Sequence, residues 1–216
     1  MLLLRLFLRA ALLTPAAVFS TIYVVPRMKQ QHQESLLEEG VSHARQLGLA
    51  LKDFEAAYGR YPDATTALEV KEDTGTSLTL GNRSSNQLFR QMLVTQRSHE
   101  TSYYVCVSSS SRAPDDLYSD DAHALAPGEC GFTYVAGLNS HADPSTPVAV
   151  APLIAGTTRF DRKALGGRAI VLRVDGSVQT VAVNGAGKAL GDNGLDLFDP
   201  RQPYWRGRAP DLKWQE

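Results

Sequence analysis

The stretch LKDFEAAYGRYPD, residues 51–63, decides the fold. Leu51, Phe54 and Tyr58 recur at spacings of three and four, which places them on one helical face, and there the pattern stops. Gly59 readily takes the left-handed conformation that closes a helix. Pro62 cannot prolong one and pushes Tyr61 towards extended backbone. Read backwards, Leu37, Val41, Ala44 and Leu47 continue the same stripe, with Glu38, Glu39, Arg45 and Lys52 falling mainly between them. A long amphipathic helix is therefore predicted from just after Pro26 to Gly59. Gly40 and Gly48 lie inside it, each at a cost of up to about 1 kcal/mol relative to alanine.

Upstream, LLLRLFLRAALLTPAAVFSTIYVV, residues 2–25, carries no charge except Arg5 and Arg9, and the chain turns polar directly after it. Its length approaches the roughly 20 residues that span a bilayer core, while the part after Arg9 has about the length of a signal-peptide core. The sequence PAAVFST offers a poor small-x-small cleavage site, so an uncleaved anchor is favoured. Arg5 and Arg9 place its N-terminus in the cytoplasm and the body outside. The expected localisation is thus a single-pass inner-membrane protein with an extracytoplasmic body.

Downstream of Pro62, PDATTALEV reads as a short helical turn capped by Asp63, and KEDTGTSLTL as a polar connection. SSNQLFRQMLVTQR reads as a further helix capped by Ser84 or Ser85. Past Ser98 the periodicity turns extended. TSYYVCV and GFTYVAG are predicted strands, separated by a loop rich in serine, aspartate and proline over residues 108–128. TPVAVAPLI is a strand candidate whose prolines suit an edge or a strand end. RAIVLRVDGSVQTVAV predicts a hairpin, with Asp175 and Gly176 forming a tight type I′ turn. The tail holds Phe198, Tyr204, Trp205 and Trp214, which are too large to leave in water, so it is expected to drape over the body.

Of the 216 residues, 43% are hydrophobic and 21% charged, with a net charge of -1, so nothing in the charge points to a nucleic-acid partner. The two cysteines, Cys106 and Cys130, form no C-x-x-C pair, which removes thioredoxin-like and cysteine-zinc motifs. They stand at the two ends of the 108–128 loop. Either they form a disulfide, worth about 3 kcal/mol in the chain-entropy model, or they are two small buried thiols.

The apolar N-terminus continuing into a long helix, the residues Ala50, Leu51, Phe54, Gly59, Tyr61 and Pro62, and the closing Asp175-Gly176 hairpin together resemble the type IV pilin-like proteins. The closest similarity is to the type II secretion pseudopilins. The resemblance implies an α+β, pilin-like fold: an anchor over residues 1–26, an amphipathic helix over 27–59, and an extracytoplasmic domain over 60–216 built on a small antiparallel sheet. It implies a non-catalytic structural component of a secretion or pilus-like assembly, with the membrane and other pilin-like subunits or platform proteins as partners. Pilin precursors are cut after a glycine and carry a glutamate close behind it. Here no glycine precedes Gly40 and no acid precedes Glu34, which fits a helix kept as a permanent anchor.

Some pseudopilins bind calcium near the C-terminal part of their sheet, and this makes Asp192, Asn193, Asp196 and Asp199 the candidate calcium ligands. The competing reading is that short acids form turns, which also covers Asp115, Asp116, Asp120 and Asp121. The histidines His32, His43, His99, His123 and His141 are scattered, and neither H-E-x-x-H nor G-x-S-x-G occurs. Two other functions stay open: an exported calcium- or ligand-binding module with a cleaved signal peptide, and an extracytoplasmic hydrolase assembled from distant residues.

Overall fold

The computed structural model describes residues 25–96, 98–108 and 110–216. Helix α1 spans Val25–Tyr58. It ends where the glycine stands: Gly59 lies at φ 75°, and its N–H donates to the Glu55 carbonyl at 2.7 Å. Leu37, Ala44, Leu47, Leu51 and Phe54 are buried along one side, as their spacing requires. The two internal glycines have a packing role. A Cβ on Gly40 would stand 2.5 Å from Ile170 Cδ1, and one on Gly48 would stand 3.0 Å from Leu172 Cδ1. Glycine at both places lets the helix lie directly on the sheet.

Helix α2 spans Ala64–Thr74 and α3 spans Ser85–Gln96. Asp63 caps α2: its Oδ1 accepts from the amides of Thr65 and Thr66 at 2.7 and 2.9 Å, while Thr66 Oγ1 accepts from the Asp63 amide at 2.8 Å. The helix runs further than the expected short turn. It takes in Lys71, Glu72, Asp73 and Thr74, whose polar side chains lie on its outer face, and closes at Gly75. In α3, Ser84 Oγ accepts from the Gln87 amide at 3.2 Å, and Leu88, Phe89, Met92 and Leu93 are buried.

The sheet is antiparallel, in the order β4-β3-β2-β1-β5, with β1 Thr133–Ala136, β2 Pro147–Ala151, β3 Arg168–Arg173, β4 Val178–Ala182 and β5 Asp211–Lys213. Two expectations change here, and the strand-end alternative for the prolines of β2 is met. TSYYVCV is not a strand: Glu100–Tyr103 form a 3-10 turn, and the residues after it run extended without joining a ladder. Strand β2 lies inside the sheet, with Pro147 as its first residue, where a missing N–H is tolerated. In the β3–β4 hairpin, Gly176 N donates to Arg173 O and Arg173 N to Ser177 O, both at 2.9 Å. This is a three-residue loop with a glycine bulge; Gly176 alone takes positive φ, at 86°, so the turn is not type I′.

Both faces of the sheet are covered. Ile170 and Leu172 of β3 meet the three helices together with Phe54, Phe89, Tyr103 and Tyr134. Ala169 and Val171 point the other way, into a second cluster with Phe160, Leu197, Phe198 and Trp205. The tail is therefore part of the core, and Trp205 Nε1 donates to Leu197 O at 2.7 Å.

The expected fold and localisation both need correction. A long apolar anchor helix continuing into a rod is not found among the described residues, where three helices pack on a five-stranded antiparallel sheet. Helix α1 is long enough to cross a membrane but not apolar enough, because Arg27, Lys29, His32 and Glu34 crowd its first turns. Among the described residues no helix is long and apolar enough to cross a membrane, which overturns the single-pass inner-membrane expectation. The segment that suggested the anchor lies in residues 1–24, outside the described residues.

Candidate functional site

A polar concavity lies where the tail crosses the end of β1 and β5. It has a volume of about 470 Å³ and is lined by Asn139, His141, Asp143, Tyr204, Arg206 and Asp211, among others. The side chain of Asp143 is turned inward on its own loop. It accepts from the Ser145 hydroxyl at 2.6 Å and the Ser145 amide at 2.9 Å, and these bonds hold its carboxyl below the usual range. Burial pushes Tyr204 up to about 12, and its hydroxyl donates to Leu197 O at 3.1 Å. No serine or cysteine lines this cleft; its polar groups include carboxylates, an imidazole, a phenol and guanidinium groups.

A smaller cavity, of about 290 Å³, does hold such atoms. Ser108, Ser110, Ser111 and Cys130 line it, with Asp161 and Glu216. Ser108 and Ser110 pair with each other at 2.7 Å, and none of the five histidines lines it. Burial pushes the Cys130 thiol up to about 11, which leaves it protonated and unreactive at neutral pH. Its sulfur sits 3.5 Å from both Ser85 Oγ and Phe132 O. Cys106, the other half of the predicted disulfide, is a free thiol, as is Cys130. Cys106 lines a separate groove with His32, Lys29 and Lys163.

The histidines are dispersed. His43 Nδ1 lies 2.8 Å from Tyr104 O. His99 pairs with Asp116 at 3.4 Å and His123 with Asp120 at 2.9 Å, both on the surface. Among the described residues no hydrogen bond joins a histidine ring to a serine or cysteine.

Three of the four candidate calcium ligands have protein partners. Asp196 pairs with Lys188 at 2.6 Å and accepts from the Phe198 amide. Asp199 is gripped by Arg201 at 2.7 Å, a hydrogen bond that holds its carboxyl down at about 2. Asn193 and Gln202 exchange two amide hydrogen bonds, at 2.9 and 3.2 Å, and Asp192 is exposed. Among the described residues no three His, Cys, Asp or Glu side chains converge as a metal site. Asp196 and Asp199 are each engaged both in an ion pair and with a nearby backbone amide.

The 108–128 loop is more firmly tied than its composition suggests. The buried Arg90 of α3 donates through Nε to Ala124 O at 2.7 Å, and its guanidinium pairs with Asp121 at 3.1 Å. Thr79 supplies its amide and hydroxyl to the same carboxylate. Leu117 and Tyr118, just before these anchors, remain exposed. Comparison with protein-family models, with curated proteins and with solved structures finds no match.

Proposed function

We propose that this chain is a non-catalytic assembly component of the pseudopilin kind, which offers the exposed 27–35 stretch of α1 and the 108–128 loop to other subunits of a secretion or pilus-like machine. The observation that supports this reading best is the exposure of the first described turns of α1. From Arg27 to Ser35 every residue except Gln33 is exposed, and burial begins only at Leu37. At 1.5 Å per residue this is about 14 Å of helix with little beneath it. The resulting arm, with Arg27, Lys29 and Glu34 on its surface, suits polar contact with a neighbouring subunit. The resemblance carried by Ala50 to Pro62 supplies the class of partner, other pilin-like subunits.

A photo-crosslinking residue at Gln31 or Tyr118, in the native host, tests this. The expected product is a covalent complex with another pilin-like polypeptide, identified by mass spectrometry, and absent when the probe sits at Gly156, in the connection between β2 and β3. If Gln31 and Tyr118 capture nothing beyond what Gly156 captures, the assembly role is wrong.

A further inference from the structure

Two carboxylates lie buried beneath the loop, and nothing described above uses them. Glu100, in the 3-10 turn, and Glu129, beyond the loop's far end, are both wholly buried. Each spends one oxygen on loop backbone: Glu100 Oε1 accepts from Leu125 N at 2.6 Å, and Glu129 Oε2 accepts from Ala126 N at 2.8 Å. The two amides are consecutive, and Leu125 sits at φ 43°, in the left-handed region that leucine avoids. The side chains therefore act as a double clamp on a strained point of the loop. Glu129 Oε1 meets the Arg112 guanidinium at 2.7 Å, an ion pair whose angles fall short of a hydrogen bond. Glu100 Oε2 has no well-formed hydrogen bond among the described residues.

Charge around Glu100 is one-sided. Glu129, Asp115 and Asp116 face it, and Tyr103 of its own turn is also close. Asp116 Oδ1 accepts from the Glu100 amide at 2.9 Å. The neighbouring cations are committed to other carboxylates: Arg112 to Glu129, Arg90 to Asp121, and His99 to Asp116. Burial pushes the Glu100 carboxyl from 4.5 up to about 7; the Leu125 and Asp116 amides pull against this, and the charges of Glu129 and Asp115 reinforce it.

We propose that Glu100 is the latch of a pH-sensitive clasp, which holds the 112–128 loop closed while its carboxyl is protonated and releases it when the carboxyl ionises. An ionised Glu100 needs water that the closed loop excludes, and it repels Glu129 and Asp115 across the clamp. The sign follows from linkage. The closed loop binds the proton more tightly than the open one, so its advantage is complete below 4.5, shrinks as pH rises, and changes no further above about 7.

Hydrogen exchange on the full chain at pH 6 and pH 8, corrected for intrinsic rates, reads this out. Opening of peptides from 112–128 is expected to rise about tenfold between the two, with β3 protection unchanged and the rise abolished in Glu100→Gln. Equal opening at both pH values overturns the proposal. So does a β3 change matching that of the loop, or a Glu100→Gln protein whose loop still opens with pH. If Glu100→Gln does not fold, the contrast between loop and β3 in the unaltered chain decides alone.

Discussion

At Gly40 two physical rules oppose each other. Alanine would favour the helix by up to about 1 kcal/mol, yet its Cβ would meet Ile170 Cδ1 at 2.5 Å and Val105 Cγ1 at 3.1 Å. Both neighbours are buried, so neither can move without disturbing a packed core. Gly40→Ala is therefore expected to destabilise by about 1–3 kcal/mol, measured by urea denaturation. Adding Ile170→Val, which deletes the Cδ1, should restore part of that in a double-mutant cycle. A neutral or stabilising Gly40→Ala would show that the helix can lift from β3. In the sequence Gly40 reads only as a propensity cost, because its benefit comes from Ile170, 130 positions along the chain. Glu100 is equally silent there: one acid among polar neighbours looks solvated until the loop closes over it.

Element ends were legible because their causes are local. Gly59, Asp63 and Ser84 all act within four residues of themselves, and each does what its chemistry predicts. Asp63→Ala should cost about 1 kcal/mol of stability, with Asp63→Asn retaining most of it; thermal unfolding would register this, and equal losses in both would contradict a capping role. Element lengths were less legible. Helix α2 runs through Lys71, Glu72 and Asp73 because Val70 is buried and the outer face is free to be polar. TSYYVCV has the composition of a strand but lies against Gly131, whose amide reaches Tyr103 O at 3.1 Å, and it never enters the ladder.

For the molecule as a whole, the sheet is a wall with a core on each side. The tail forms one of those cores, so losing its anchor should behave as core damage. Phe198→Ala, which removes the ring stacked on Phe160 at 5.8 Å between centroids, is expected to cost about 3–5 kcal/mol. Calorimetry should show one cooperative transition shifted downwards. A separate early transition would mean that the tail packs independently of the sheet. The aromatic content of the tail foretold its burial, because large rings are costly to hydrate. Its target, the face of β3 carrying Ala169 and Val171, was open to no local rule.

The sequence by itself determined where α1 stops, how α2 is capped, which residues of α1 turn inward, and that a hairpin closes near Gly176, since each depends on neighbours within one or two turns. Only the tertiary structure decided that Gly40 and Gly48 are points of contact, that Asp196 and Asp199 pair with Lys188 and Arg201, that Cys106 and Cys130 are free, and that Glu100 and Glu129 lie beneath one loop. Those outcomes depend on groups distant in sequence competing for the same space and the same charge, and that competition has no local signature.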